Sequence, residues 1–243
     1  FQFSPHDLYD YDATQIPVLL DEQWKGQPRK LLLQANRNGF FYVLDRTNGK
    51  FLQASAFGKV TWATGIGPDG RPQLNAQLVP SPQGNVVCPG ALGLTNWYSP
   101  SYSPDTGLLY VATSDECDIF TSAPQTYREG HDFLGSVYVP DPIVRPTGAL
   151  KALDPSTGAE KWEFKYFSNP NGGALSTAGG LVFAGESDGN FIALDARTGR
   201  DLWNLQLGAA IYSTAITYQL DGKQYVIIPA GSALFAFALA DHP

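Results

Sequence analysis

The chain has 243 residues, 23 acidic against 16 basic, and its formal charge of −7 argues against nucleic acid as a partner. With 25 Gly, 18 Pro, 13% aromatic and only 16% charged residues, it is not a disordered chain; many short strands joined by tight turns, in one unit over residues 1–243, are expected. No apolar run reaches membrane-spanning length: the longest late one, Ala233 to Ala240, has eight residues. The sequence begins at Phe1 and contains no Met, so it reads as a mature product or a piece of something longer.

In chain order, the first informative stretch is Ser4-Pro5-His6-Asp7-Leu8-Tyr9-Asp10-Tyr11-Asp12. It is too short and Pro-interrupted for a helix face, which puts its carboxylates at a strand end or on a loop. On an extended backbone, Asp10 and Asp12 point the same way. Two carboxylates converging without a basic neighbour repel each other unless a cation lies between them. That pattern suits a hard, oxygen-liganded metal beside a general base; a solvated acidic loop is the plainer alternative.

Strands are expected at Leu31 to Gln34 and Phe40 to Leu44, flanking Asn36-Arg37-Asn38-Gly39, a good hairpin turn in which Arg37 on its own would be a surface residue. Ala63 to Ser81 and Phe120 to Pro146 are Pro- and Gly-rich and read as long loops on one rim. Within the first, Gly65-Ile66-Gly67-Pro68-Asp69-Gly70 matches a dinucleotide-binding pattern, but Pro68 and Pro72 deny it the helix it needs. Cys88 and Cys117 lack metal-site spacing, which leaves a disulfide, the expected outcome, or two buried thiols. The histidines His6, His131 and His242 are too scattered for zinc. Further strands are expected at Leu108 to Ala112, Leu181 to Ala184, Phe191 to Leu194 and Lys223 to Ile228. Gly185-Glu186-Ser187-Asp188-Gly189 resembles a nucleophile elbow but runs into a strand, not a helix, and so reads as a hairpin turn.

A repeat sets the architecture. Ala152-Leu153-Asp154-Pro155-Ser156-Thr157-Gly158 through Trp162 recurs 41 residues later as Ala193-Leu194-Asp195-Ala196-Arg197-Thr198-Gly199 through Trp203, with a degenerate copy at Val43 to Leu52. In each, a strand ends at an Asp that can cap the turn, Gly takes the positive-φ position, and a bulky residue follows. A period near 40 with such hairpins marks a β-propeller, here of about four blades. Trp162 and Trp203 are then expected to be buried at equivalent positions between blades.

Pro5-His6-Asp7-x-x-Asp10-x-Asp12, Asn36-Arg37-Asn38-Gly39 with the strand that follows, Cys88-Pro89-Gly90, Thr95-Asn96-Trp97 and Asp221-Gly222-Lys223-Gln224-Tyr225-Val226 together resemble the quinoprotein alcohol dehydrogenases, the methanol/ethanol dehydrogenase family that uses pyrroloquinoline quinone (PQQ). The likeness runs in order along almost the whole chain and implies the C-terminal half of an eight-bladed all-β propeller. It implies Asp10 as catalytic base, Arg37, Asn96 and Trp97 as cofactor contacts, and Asp10 with Asp12 as metal ligands. An Asp at position 12 is the lanthanide-type residue; calcium, with a small or neutral residue there, is the alternative. A third positive charge gains more from an added carboxylate. The resemblance also implies that a Glu, an Asn and a Cys-Cys pair belong to a missing N-terminal half, so that this chain alone lacks a complete site. A small alcohol substrate, a cytochrome c-type electron acceptor and a periplasmic or secreted location are the remaining implications. The competing class is a non-catalytic propeller scaffold with the same repeats, which has no need of Asp10, Asp12, Arg37 and Asn96 together.

Overall fold

The computed structural model describes residues 1–143 and 145–240; His242 lies outside them. Among the described residues there is no α-helix, only strands and one 3-10 turn at Ala76–Leu78. The chain divides into two compact units, residues 1–96 with 115–146, and residues 97–114 with 147–243.

In the first unit, β1 (Val18–Trp24), β2 (Gln27–Ala35), β3 (Phe40–Asp45) and β4 (Lys50–Ala56) form a four-stranded antiparallel meander. β3 is buried along its whole length, as its unbroken apolar run Phe40-Phe41-Tyr42-Val43-Leu44 requires. The stretch expected to be a loop over residues 63–81 instead pairs β5 (Ala63–Ile66) with β6 (Pro72–Leu74), and Gly65 to Gly70 closes their turn. β7 (Asn85–Val87) starts a second sheet that the chain completes only after leaving the unit and returning.

The second unit opens with β8 (Ser101–Ser103) and β9 (Leu108–Asp115). The chain then crosses back to add β10 (Asp118–Ser122) and β11 (Ser136–Pro140) beside β7, giving the order β11-β10-β7 in the first unit. The expected loop over residues 120–146 is therefore corrected: it holds most of one strand and all of another. Proline and glycine density marks the turn between them, and the β-branched Val137 and Val139 supply the strand.

Back in the second unit, β12 (Thr147–Leu153) and β13 (Glu160–Lys165) complete a sheet of order β13-β12-β9-β8. β14 (Ala174–Ser176), β15 (Leu181–Gly185), β16 (Asn190–Asp195) and β17 (Asp201–Gln206) make another meander. β18 (Ile216–Leu220), β19 (Lys223–Ala230) and β20 (Ala233–Phe237) make a three-stranded sheet. Against the expected count of about four units, the described residues form three four-stranded and two three-stranded sheets plus the β5–β6 hairpin.

The repeat is a physical unit. Gly49, Gly158 and Gly199 sit at φ +72°, +73° and +70°, and each donates its N–H to the carbonyl of the Asp four residues back, at 2.8, 2.7 and 2.9 Å. The carboxylates of Asp45, Asp154 and Asp195 accept backbone N–H groups from the same turn at 2.9 to 3.0 Å. A bulge follows Val43, Ala152 and Ala193, the same repeat position each time.

Trp162 and Trp203 do take equivalent places, opposite Ala152 and Ala193. Only Trp162 is buried; Trp203 is 39% exposed, against expectation. Trp162 lies under the next repeat turn: its Nε1 donates to the Ala196 carbonyl at 3.1 Å, and the buried Tyr110 hydroxyl donates to the same oxygen at 2.9 Å. For Trp203 the next sheet has no such turn among the described residues, so it packs edge-on against Phe191 and Phe237 and no further.

Candidate active site

The Asp-rich segment folds as a loop pinned from within. Asp7 accepts the Tyr9 and Tyr11 N–H groups, at 2.9 and 2.5 Å. Tyr9 and Tyr11 are buried in an aromatic cluster with Phe40, Trp62 and Phe120, and Tyr11 also donates its hydroxyl to the Pro89 carbonyl at 2.6 Å. Between and beyond these two anchors, Asp10 and Asp12 are exposed. Asp10 sits at φ +64°, so the extended backbone expected there is not what aims it. Partial burial raises the Asp7 carboxyl above its ordinary pKa; its two backbone donors oppose this, and the charges of Asp12 and Asp10 add to it. The three carboxylates are therefore electrostatic neighbours.

The absence of a basic neighbour, expected from the local sequence, is also corrected. Arg37 Nη2 lies 3.0 Å from Asp10 Oδ2. Nor is Arg37 a surface turn residue. Its side chain is only 10% exposed, and Asn36 and Asn38 beside it are fully buried. The β2–β3 hairpin closes by Gly39 N–H to the Asn36 carbonyl at 3.0 Å, and the Asn36 and Asn38 side chains accept backbone N–H groups two residues on. That rigid, buried turn projects Arg37 onto the loop after Cys88. Its Nε and Nη2 donate to the Ala91 carbonyl at 2.9 and 2.5 Å, and its own carbonyl accepts Leu94 N–H at 3.0 Å. The approach needs Gly93, at φ +79°: a Cβ there would stand 2.1 Å from Arg37 Cγ.

That loop is tied on its other side. Cys88 and Cys117 form the expected disulfide, Gly90 N–H donates to the Glu116 carbonyl at 2.9 Å, and Ala91 N–H donates to Asp118 Oδ2 at 2.7 Å. Burial, with the Asp118 charge adding to it, pushes the Glu116 carboxyl up to about 7. Asn96 closes the loop, its Nδ2 donating to the Leu92 carbonyl at 2.7 Å. Trp97 opens the second unit, 52% exposed, with its ring 5.2 Å from that of Tyr98.

The structure thus joins Asp10 to Arg37 and ties Asn96 to the loop that Arg37 grips. The sequence reading missed Asp7, Ala91, Gly93 and Asp118. In Asp115-Glu116-Cys117-Asp118 nothing local marks Asp118 as the buried one. Polar atoms that would suit a bound quinone also collect here. Arg37 Nη1 has no protein partner among the described residues, and the buried Nδ2 of the adjacent Asn36 has none either. For a metal the donor set is partial: among the described residues no group of three or more His, Cys, Asp or Glu side chains could hold an ion.

The PQQ family model "Glucose/ethanol/alcohol dehydrogenase, beta-propeller domain" matches residues 1–55 and 166–226. The chain is 40% identical over 242 residues to the "1-butanol dehydrogenase (cytochrome c)" of Thauera butanivorans, covering 95% of this chain and 35% of that protein. The crystal structure of the quinohemoprotein alcohol dehydrogenase from Comamonas testosteroni superposes with a TM-score of 0.90 at 34% identity, over 96% of this chain and 37% of that one. A europium-containing methanol dehydrogenase superposes with a TM-score of 0.87 at 34% identity, over 94% and 41%. Over nearly its whole length the chain is similar to part of the PQQ-dependent alcohol dehydrogenases. Its sheets are blades of their β-propeller, and it spans under half the length of the relatives it matches.

Proposed function

We propose that the protein carrying this chain oxidises small alcohols to aldehydes with PQQ, and that this segment supplies the general base and part of the cofactor and metal contacts. One observation carries the reading: an exposed carboxylate, Asp10, is held at 3.0 Å by a buried guanidinium 27 residues away, in a chain whose relatives are named alcohol dehydrogenases. The competing scaffold reading leaves the set Asp10, Asp12, Arg37 and Asn96 without a role.

PQQ, when bound, supplies the two-electron acceptor. Asp10 is the base that takes the alcohol hydroxyl proton; its carboxylate keeps a fixed orientation because Arg37 Nη2 holds Oδ2. Arg37, anchored through Nε and Nη2, presents positive charge and the remaining Nη1 donors toward developing negative charge without reorganising. Asn36 Nδ2 adds a free buried donor next to Arg37 in sequence, and Asn96 and the exposed Trp97 are the further residues that the family likeness assigns to the cofactor. Asp10 and Asp12 give an ion two carboxylates, and its other ligands come from the part of the propeller outside this chain. Asp12 favours a lanthanide over calcium, since an added carboxylate offsets the third positive charge. The europium-containing relative supports that choice. The electron acceptor is a cytochrome c-type protein, supported by the name of the butanol dehydrogenase. The disulfide supports an oxidising, periplasmic or secreted setting.

The test uses the full-length protein with PQQ, reconstituted in parallel with lanthanum and calcium. Asp10→Asn is expected to lower kcat by about 10²–10⁴-fold, the range for losing a general base. Asp12→Ala is expected to lose the lanthanum preference. Unchanged kcat in Asp10→Asn removes the base assignment, and equal activity with both ions before and after Asp12→Ala removes the lanthanide assignment.

A further inference from the structure

We propose that Asp118 is a positioning residue that sets Arg37, and through it Asp10, by fixing Ala91. The inference deepens the reading above and rests on it for the roles of Arg37 and Asp10.

The chain of contacts is short and lies wholly within the first unit. Asp118 begins β10, where its backbone is paired on one side with Val87 of β7 and on the other with Pro140 of β11. Its neighbour Cys117 is bonded to Cys88, three residues before Ala91. The carboxylate therefore stands on a doubly paired strand beside a covalent tie. From there Oδ2 accepts the Ala91 N–H at 2.7 Å. Ala91 is held at its other end by Arg37, whose Nε and Nη2 both donate to its carbonyl oxygen. The Nη2 that grips Ala91 is the one that reaches Asp10.

The burial of this acceptor makes it informative. Asp118 is 4% exposed and makes no ion pair within 4.0 Å among the described residues. Burying a polar side chain is costly unless it is hydrogen-bonded, and a strand head needs no such group to fold. What the side chain adds is a short bond, 2.7 Å, from one N–H to its oxygen. It falls on the residue that fixes the guanidinium. The contact also excludes a side chain at Gly90, where a Cβ would stand 2.7 Å from Asp118 Oδ2. Small displacements of such a support matter because catalytic geometry tolerates little: about 1 Å of misplacement can cost about 10²-fold in rate.

The experiment uses the full-length protein labelled with ¹⁵N-arginine, with and without PQQ, and compares Asp118→Ala with Asp118→Asn. Asparagine keeps an oxygen acceptor for the Ala91 N–H; alanine does not. In Asp118→Ala, solvent exchange of the Arg37 Nε–H is expected to accelerate by about tenfold or more, and kcat to fall about 10- to 100-fold with the alcohol KM within about threefold. Asp118→Asn is expected to stay within about threefold of the parent in both. If Asp118→Ala does not fold, Asp118→Val, apolar and suited to a strand, takes its place. Unchanged Arg37 exchange on loss of the acceptor, or equal exchange in Ala and Asn variants, overturns the proposal. The underlying reading fails separately: Arg37→Ala would then retain kcat while the exchange response to Asp118→Ala persists.

Discussion

At Asp195 the turn is closed by its own residues: the carboxylate accepts Arg197 and Thr198 N–H groups, and Gly199 donates back to the Asp195 carbonyl four positions away. At Asp10 almost nothing is local. Its partner Arg37 is 27 residues away, Arg37 is anchored 54 residues on at Ala91, and Tyr11 beside it is anchored 78 residues on at Pro89. The first kind of structure is written in a window of five residues and can be copied along a chain. The second exists only once several strands are assembled, and that lets it bring separate chemical groups to one place.

The largest expected effect tests how complete the copying is. Trp162 and Trp203 share a register, but only Trp162 has the following turn over it. Trp162→Ala is expected to cost about 3–5 kcal/mol in urea denaturation, as for a buried aromatic, and Trp203→Ala about 1–2 kcal/mol. Equal costs would mean that Trp203 is covered by more than Phe191 and Phe237, and that the two repeats are energetically alike.

A second contrast separates backbone strain from packing within one motif. Gly49 and Gly199 have nearly the same φ, +72° and +70°. A Cβ at Gly49 meets nothing within 4 Å, whereas at Gly199 it would stand 2.5 Å from Trp162 Cε3. Gly49→Ala is expected to cost about 1 kcal/mol, from the left-handed backbone alone. Gly199→Ala adds overpacking against Trp162, for about 2–4 kcal/mol in all. A Gly199→Ala cost no larger than that of Gly49→Ala would show the indole moving aside freely.

The same division explains what the sequence disclosed. Asp154-Pro155-Ser156-Thr157-Gly158 could be read as a turn because each of its bonds is to a neighbour. The β2–β3 and β15–β16 hairpins were legible for the same reason. β11 was hidden because its partner β10 lies across a Pro- and Gly-bearing stretch, and pairing across so long a gap leaves no periodic trace in either segment. At the site, Asp10 and Arg37 could be named from family likeness. What could not be read was the route between them through Ala91, or that Asp118 rather than Glu116 is the deeply buried acid.

The smallest expected effect concerns pH, where the two kinds of structure carry opposite signs. The Asp195 carboxyl is held below its ordinary pKa, first by the Thr198 hydroxyl and, against opposing desolvation, by turn N–H groups. A depressed acid favours the folded state above its unfolded pKa, and this contribution is lost as pH falls through the lower folded value. Asp45 behaves likewise through Thr47. Glu116, beside the disulfide, is raised to about 7, first by burial and then by Asp118. Between about 4.5 and about 7 the folded state holds a proton there that the unfolded state has released, so this contribution is complete at low pH and lost as pH rises through about 7. Solvent screening of a partly exposed side chain reduces it to about 1 kcal/mol. Glu116→Gln is therefore expected to flatten the fall in stability between pH 5 and pH 8 by about that amount, measured by urea unfolding across the range, while leaving the acid limb below pH 4 in place. Asp195→Asn should do the reverse, flattening only the acid limb. If Glu116→Gln leaves the neutral-pH slope untouched, the carboxyl beside the Arg37 anchor is as well solvated as a turn aspartate, and in electrostatic terms the two regions are not different in kind.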